Sequence, residues 1–133
     1  MSVLVRLQPG EALPERRHRI DQALIDAYAA VSGDRNPLHL DPEFARTTQF
    51  GRTIAHGMMT LAFVSAAMAA WAGRNWARRG VVDVTFLSPV FPGDEVLVAG
   101  QAERPAQDEV AACRVTCTVG SRTVLVGRLV VPA

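Results

Sequence analysis

Hydrophobic and polar residues are arranged differently in the two halves of the chain. From Ile54 to Ala72 the sequence is almost continuously apolar, whereas beyond Val81 short segments alternate apolar and polar side chains. An unbroken apolar run of this length is typical of a helix that is buried all round, and alternation is typical of strands. The pattern predicts a long helix from near His56 to about Ala72, then strands over residues 81–87, 95–103, 110–119 and 123–131.

Shorter elements are predicted in the first half. Ile20, Leu24, Tyr28 and Val31 share one stripe and predict a helix over residues 20–32, with an Asp cap at 21 and a Gly stop at 33. An Asp-Pro pair at 41–42 starts a second, brief helix. A further strand is expected somewhere in residues 3–19. Strand, helices and then an antiparallel meander make an α+β fold, with residues 1–133 as one domain.

The Ile54–Ala72 segment is nearly long enough to span a membrane. It contains His56, Gly57, Thr60 and Ser65, and alanines dominate its second half. The following strands also need a helix to wrap around. We therefore predict a buried helix and no membrane association.

Composition narrows the function class. The net charge is +1 and the charged residues are scattered, which gives no basis for nucleic-acid binding. Cys113 and Cys117 lie four apart in a predicted strand, about 13 Å in extended chain, which is too far for a mutual disulfide. Two thiols without a nearby third ligand also make a poor metal site. With an N-terminus that lacks signal-peptide features, this predicts reduced thiols in a cytoplasmic protein.

Residues 32–39 read Ser-Gly-Asp-Arg-Asn-Pro-Leu-His. Gly33 ends the preceding helix and Pro37 disfavours helical geometry at Asn36, so we expect a stiff non-helical segment. It holds two proton-transfer groups, Asp34 and His39. These residues could instead be an ordinary turn residue and a surface histidine. The combination of Asp, Asn, Pro and His within six positions favours a catalytic loop.

A second segment, Ile54-Ala-His-Gly-Met-Met59, lies at the predicted start of the long helix. Helix N-termini present unpaired N–H groups, so the Gly57 amide could receive a carbonyl oxygen that becomes negatively charged. Close packing of Gly57 is the alternative, and His56 fits a structural histidine as well as a catalytic one. Acid, base and oxyanion donor together suit addition of water to an unsaturated thioester, without a metal or redox cofactor.

Three blocks resemble a known family. Tyr28-Ala-Ala-Val-Ser-Gly-Asp-Arg-Asn-Pro-Leu-His39, followed by Asp41-Pro-Glu-Phe-Ala45, resembles the hydratase 2 motif of MaoC-like (R)-specific enoyl-CoA hydratases. Phe50-Gly-Arg and Ile54-Ala-His-Gly-Met58 resemble its next block. Phe86-Leu-Ser-Pro-Val-Phe-Pro-Gly-Asp-Glu95 resembles its strand-turn-strand signature. The similarity covers nearly the whole chain.

The resemblance implies a hotdog fold, a sheet wrapped round the Gly57–Ala72 helix, in a dimer with an acyl tunnel near the interface. It implies syn hydration of a trans-2-enoyl-CoA to an (R)-3-hydroxyacyl-CoA, or the reverse dehydration. CoA is then part of the substrate, no separate cofactor is expected, and an acyl-carrier-protein thioester is a possible substrate. Asp34 and His39 become the catalytic pair, and the Gly57 amide becomes the oxyanion donor.

Four further residues are expected on the substrate side: Asn36, His56, Met58 and Ser65. Asn36 is a supporting polar residue of the motif. Ser65 matches a serine that helps to hold the motif in short family members, although bonding to its own helix backbone explains it equally well.

Two other functions compete with hydration. A hotdog acyl-CoA thioesterase usually carries a carboxylate on or beside its central helix, and this helix has no Asp or Glu after Gly57. A non-catalytic acyl-thioester-binding subunit would not need both Asp34 and His39. Finally, a single sheet curled round one helix leaves an exposed edge, which predicts a homodimer or higher homo-oligomer.

Overall fold

The computed structural model describes residues 2–133, which form one five-stranded antiparallel sheet packed against one long helix. The helices are α1 (Val3–Arg6), α2 (Gln22–Ser32), α3 (Pro37–Leu40), α4 (Pro42–Arg46), α5 (Gly57–Ala72) and α6 (Arg74–Arg79). The strands are β1 (Arg16–Arg19), β2 (Val81–Phe86), β3 (Glu95–Glu103), β4 (Glu109–Val119) and β5 (Arg122–Pro132). They lie in the order β1-β3-β4-β5-β2.

Helix α5 is the centre of the core, as the apolar run predicts. Its residues Val64, Ala67, Met68 and Trp71 are buried with the inner face of the sheet. The sheet accommodates the large Trp71 ring because Gly100 lies opposite it, where an added Cβ would be 2.7 Å from the ring. Among the described residues, 2–133, the helices are all too short or too polar to cross a membrane.

The sheet order corrects one expectation. Strands β3, β4 and β5 form a meander, but β2 pairs with β5 at the far edge and not with β3. The proline- and glycine-containing segment between β2 and β3 ends β2. The chain can then cross the sheet to the position of β3, between β1 and β4. Gly127 permits the β2–β5 pairing at close range, because a Cβ there would lie 2.5 Å from the Asp83 carbonyl oxygen.

The helices before α5 are confirmed with two differences. Asp21 caps α2 by accepting from the Leu24 amide at 2.8 Å, and Gly33 ends it with φ +79°. The predicted stripe is wrong, however, because α2 buries Ile25 and Ala29 and leaves Val31 88% exposed. The predicted N-terminal strand is β1, and it is preceded by the short helix α1.

The two cysteines are both free and buried on β4, as expected. Burial raises the pKa of each thiol to about 12, so neither is a thiolate at neutral pH. The cytoplasmic location inferred from them stays a prediction.

Candidate active site

The Asp34 loop is held by its own backbone. After Gly33 ends α2, the Asp34 carboxylate accepts through Oδ1 from the Asn36 amide at 3.2 Å. Asn36 in turn caps α3 through Oδ1, which accepts from the Leu38 amide at 3.0 Å. The expectation of a wholly non-helical 32–39 segment is therefore wrong for its last three residues. Pro37 is the first residue of α3, a position that suits its fixed φ, and this turn presents His39.

His39 is buried and is oriented by the segment before α5. Its Nδ1 lies 2.8 Å from the Ile54 carbonyl oxygen. A carbonyl only accepts, so Nδ1 carries the hydrogen and Nε2 is left to face Asp34. The side chain of Gln22 fixes the backbone by donating to the His39 carbonyl at 2.8 Å.

The Asp34 and His39 side chains are separated by the distance that one water molecule can bridge. Asp34 Oδ2 and His39 Nε2 are 4.0 Å apart, too far for a direct hydrogen bond. A water oxygen about 2.8 Å from each would form an angle of about 90° between them, which is acceptable for two hydrogen bonds. The Asp34 side chain is 55% exposed, so water and substrate can reach it.

His56 and Gly57 bring the start of α5 to this pair. His56 is the N-cap residue of α5, and its Nε2 lies 3.0 Å from the Asp34 carbonyl oxygen. Its ring stacks on His39, with centroids 3.8 Å apart and planes inclined by 27°. Gly57 is the first residue of α5 and is exposed, so its amide is available at the positive end of the helix.

Two cavities flank the start of α5. One of about 290 Å³ contains Gly57, against which the Phe86 ring packs, and is lined by Phe50, Ile54, Ala55, Gly57, Thr60, Phe86, Leu87, Ser88, Pro89, Val90 and Val124. The other, about 540 Å³, is the α5 groove: Tyr28, Met58, Leu61, Ala62, Ser65, Ala66, Ala69, Trp76, Ala77 and Val82. Among the described residues, neither lining includes Asp34 or His39. Each cavity nevertheless reaches the neighbourhood of the pair. Gly57 lines the first cavity and follows His56 in the chain, and Tyr28 lines the α5 groove with its ring centroid 4.8 Å from that of His56.

The structure thus divides the predicted site residues into two groups. Asp34, His39, His56 and Gly57 come together at one point. Met58 and Ser65 line the α5 groove, where Ser65 accepts a hydrogen bond from Trp76 Nε1 at 3.1 Å. Asn36 shapes the loop through its capping bond, and its expected contact with substrate stays a prediction.

Asp34, His39 and His56 also form a group with metal-ligand atoms within 4.8 Å of one another. A zinc ion needs imidazole nitrogens about 2.0–2.1 Å away whose lone pairs converge on it. Donation of the second ring nitrogen to a carbonyl, seen in both histidines, is compatible with metal binding. The stacking is not, because rings inclined by only 27° direct their remaining nitrogens along nearly parallel planes and not towards one point. This geometry suits proton transfer better than metal binding.

Sequence reasoning missed three residues that shape this site: Gln22, Phe86 and the carbonyl of Ile54. Each acts through a contact with a residue at least 15 positions away. Ile54 and Phe86 begin two of the blocks that resemble the family, but the sequence pattern does not indicate these contacts. Their roles follow only from the packing of α2, β2 and the pre-α5 segment around His39 and Gly57.

Comparisons with known proteins show the family of the chain. The family model described as MaoC like domain matches residues 7–124. The (R)-specific enoyl-CoA hydratase of Aeromonas caviae is 36% identical over 119 residues, which cover 85% of this chain and 86% of that protein. The 3-hydroxybutyryl-CoA dehydratase of Methylorubrum extorquens is 35% identical over 120 residues, which cover 86% of this chain and 74% of that protein.

Solved structures give the same result for the fold. The (R)-hydratase from A. caviae superposes with a TM-score of 0.81 at 30% identity, covering 96% of this chain and 98% of that one. The R-hydratase from Pseudomonas aeruginosa superposes with a TM-score of 0.83 at 29% identity, covering 98% of this chain and 86% of that one. The five-stranded sheet around α5 is therefore the hotdog fold, and the chain belongs to the MaoC-like dehydratase family.

Proposed function

We propose that this protein is an (R)-specific enoyl-CoA hydratase, which adds water to a trans-2-enoyl-CoA to give an (R)-3-hydroxyacyl-CoA or catalyses the reverse dehydration. The observation that carries the proposal is the 4.0 Å separation of Asp34 Oδ2 and His39 Nε2 in a MaoC-like chain. Relatives that share most of the chain's length are named as hydratases and dehydratases of acyl-CoA.

The proposed reaction uses three groups. The Gly57 amide donates to the thioester carbonyl oxygen and stabilises the negative charge that it gains. A water held between Asp34 and His39 attacks the β-carbon. One of the two residues removes a proton from this water and the other delivers a proton to the α-carbon. The added atoms are those of one water molecule, so no redox step or separate cofactor is required.

The acyl chain of the substrate would lie in the α5 groove. Its lining is largely apolar and begins at Met58, next to Gly57, and at Tyr28, next to His56. Small alanines along α5 leave room beside the helix, and Trp76 lies towards the other end. Met58 and Ser65 would then contact the acyl chain. The carrier, CoA or acyl carrier protein, would lie outside this groove.

We also propose that the protein acts as a homodimer formed through β2. This strand is an edge of the sheet and exposes Val81, Val82 and Phe86. The opposite edge, β1, exposes Arg16, Arg17 and Arg19, and charged edges disfavour pairing with another strand. Phe86 packs on Gly57, so a second copy on β2 would lie beside the site.

The test is hydration of crotonyl-CoA, followed by loss of the conjugated enoyl-thioester absorbance. Wild type should turn over, and Asp34→Asn and His39→Ala should each lose about 10²- to 10⁴-fold in kcat, because each removes a proton-transfer group. Asp108→Asn, the same change in a turn away from the site, is the matched control and should keep full activity. EDTA should have no effect on any of them.

Other outcomes would support other functions. Release of free thiol from a saturated acyl-CoA would indicate a thioesterase, although α5 has no carboxylate after Gly57. Tight binding of enoyl-CoA without turnover would indicate an acyl-thioester-binding subunit. Near-full activity of Asp34→Asn or His39→Ala would show that the assigned mechanism is wrong.

A further inference from the structure

His56 contacts both members of the catalytic pair. Its Nε2 is 3.0 Å from the Asp34 carbonyl oxygen, and its ring lies face to face with His39 at a centroid distance of 3.8 Å. The residue is only 2% exposed. It is also the N-cap of α5, one position before Gly57. A single buried side chain therefore joins the Asp34 loop, the His39 turn and the helix start.

The hydrogen bonding of this ring is unusual for a residue that only fills space. The Asp34 carbonyl can only accept, so His56 Nε2 carries the hydrogen and Nδ1 is left as an acceptor. Nδ1 is buried and finds no hydrogen-bond partner among residues 2–133. A buried acceptor without a donor lowers stability. An apolar side chain would avoid this penalty, so stability alone does not explain an imidazole here.

The orientation of the ring is fixed from a second side. Tyr28 packs against it at 4.8 Å with an inclination of 59°, while His39 covers one face. With its Nε2 held by the Asp34 carbonyl, the ring has little freedom to turn. Any movement of His56 would displace Asp34, His39 or both.

We propose that His56 is a positioning residue that sets the distance between the Asp34 carboxylate and the His39 imidazole. This inference rests on the proposed function. At 4.0 Å, one water molecule can form hydrogen bonds with both side chains. One group can then remove a proton from this water while the other delivers a proton to the substrate, as addition of water to an enoyl thioester requires. A shorter separation would exclude the water, and a longer one would break one of its two hydrogen bonds.

Two variants separate the two contacts. His56→Gln keeps an N–H donor close to the Nε2 position but removes the ring that stacks on His39. His56→Phe keeps an aromatic ring but removes the donor to Asp34. The matched control is His18→Phe, because His18 also stacks on an aromatic ring, Phe63, at 4.0 Å and has an unpartnered buried Nε2 within the described residues, but it lies on β1.

We expect both His56 variants to lower kcat about 10- to 100-fold with KM within about twofold of wild type. The loss should fall on kcat and not on KM, because the bridging water is displaced while the acyl chain still binds in the α5 groove. His18→Phe should leave both kcat and KM unchanged at about pH 7.5. The folded fraction of each variant is measured in parallel by circular dichroism.

Crystal structures of wild type and His56→Gln give a readout without turnover. The distance between Asp34 Oδ2 and His39 Nε2 should depart from 4.0 Å in the variant. An unchanged distance, or a kcat loss that only follows the folded fraction, would overturn the role of His56. Failure of wild type to hydrate crotonyl-CoA would instead count against the proposed function, while the two structures would still decide the positioning role.

Discussion

At the Asp34–His39 pair, each side chain uses one atom as an anchor and leaves the other free. Asp34 Oδ1 accepts from the Asn36 amide, while Oδ2 faces His39. His39 Nδ1 is bound to the Ile54 carbonyl, while Nε2 faces Asp34. Since the anchors are backbone groups, the free atoms are positioned without any substrate. In the proposed reaction this preorganisation would reduce the conformational entropy that must be lost on reaching the transition state.

The third histidine, His18, predicts how stability depends on pH. Burial, and secondarily the charge of Arg16, lowers the pKa of His18 below the ordinary value of 6.5. The unfolded chain then binds a proton that the folded chain resists. The stability contributed by neutral His18 is complete above pH 6.5 and is lost as the pH falls through 6.5 towards the lower folded pKa.

Urea unfolding between about pH 7.5 and pH 5 should therefore show a free energy of unfolding that decreases with acidity. His18→Phe, which keeps a ring against Phe63, should flatten this dependence. Subtracting the free energy of unfolding of the variant from that of wild type at each pH removes the contribution of other titrating groups. If the free energy of unfolding depended on pH equally in both proteins, the lowered pKa of His18 would be contradicted.

At the scale of elements, local patterns predicted what local residues determine. The limits of α5, the caps of α2 and α4, and four strands follow from runs of side chains, and the Asp34–His39 spacing follows from one loop. The position of β2 does not, because it depends on Gly127 opposite Val84, far away in sequence. The single turn α3 is not predicted either, because Pro37 is interpreted only as excluding helical geometry at Asn36 and not as a first helical residue.

The start of α5 allows the oxyanion donor to be tested by itself. Proline is well tolerated at the first position of a helix, and His56 has the extended ψ of 134° that suits a following proline. Gly57→Pro should therefore fold but remove the N–H donor. Gly57→Ala keeps the donor and introduces the same Cβ, 3.3 Å from the partly exposed Phe86 ring, so it is the matched control.

We expect kcat of Gly57→Pro to fall about 10²- to 10³-fold below that of Gly57→Ala, because one hydrogen bond to the developing oxyanion is lost. Thermal unfolding of both variants checks that α5 still forms. If the two variants were equally active, another group would have to supply the oxyanion donor.

At the scale of the whole molecule, the two edges of the sheet differ in chemistry. Strand β1 ends the sheet with arginines, and one of them, Arg17, is paired with Glu95. Strand β2 exposes Asp83 and Thr85 but is otherwise apolar, and its exposed apolar side chains continue into Leu87 and towards exposed Met58 on α5. A largely apolar edge beside an apolar helix face favours association with another protein surface. The proposed active site lies at this same side, so assembly and catalysis should be coupled.

The last prediction tests this coupling. Val82 is 38% exposed on β2, and Val82→Lys places a charge on the proposed interface, where it would be desolvated on pairing. Val110→Lys makes the same change at a similarly exposed valine, 47%, on β4. We expect sedimentation to show a dimer for wild type and Val110→Lys, and a dissociation constant at least about tenfold higher for Val82→Lys. A monomeric wild type, or a fully dimeric Val82→Lys, would show that β2 does not form the interface.

Because Val82 also lines the α5 groove, the effect of assembly on activity is measured on wild type. Phe86 packs on Gly57, so the specific activity of wild type should fall when the protein is diluted below the dissociation constant of the dimer. Full specific activity of the diluted monomer would show that a single chain holds the complete site.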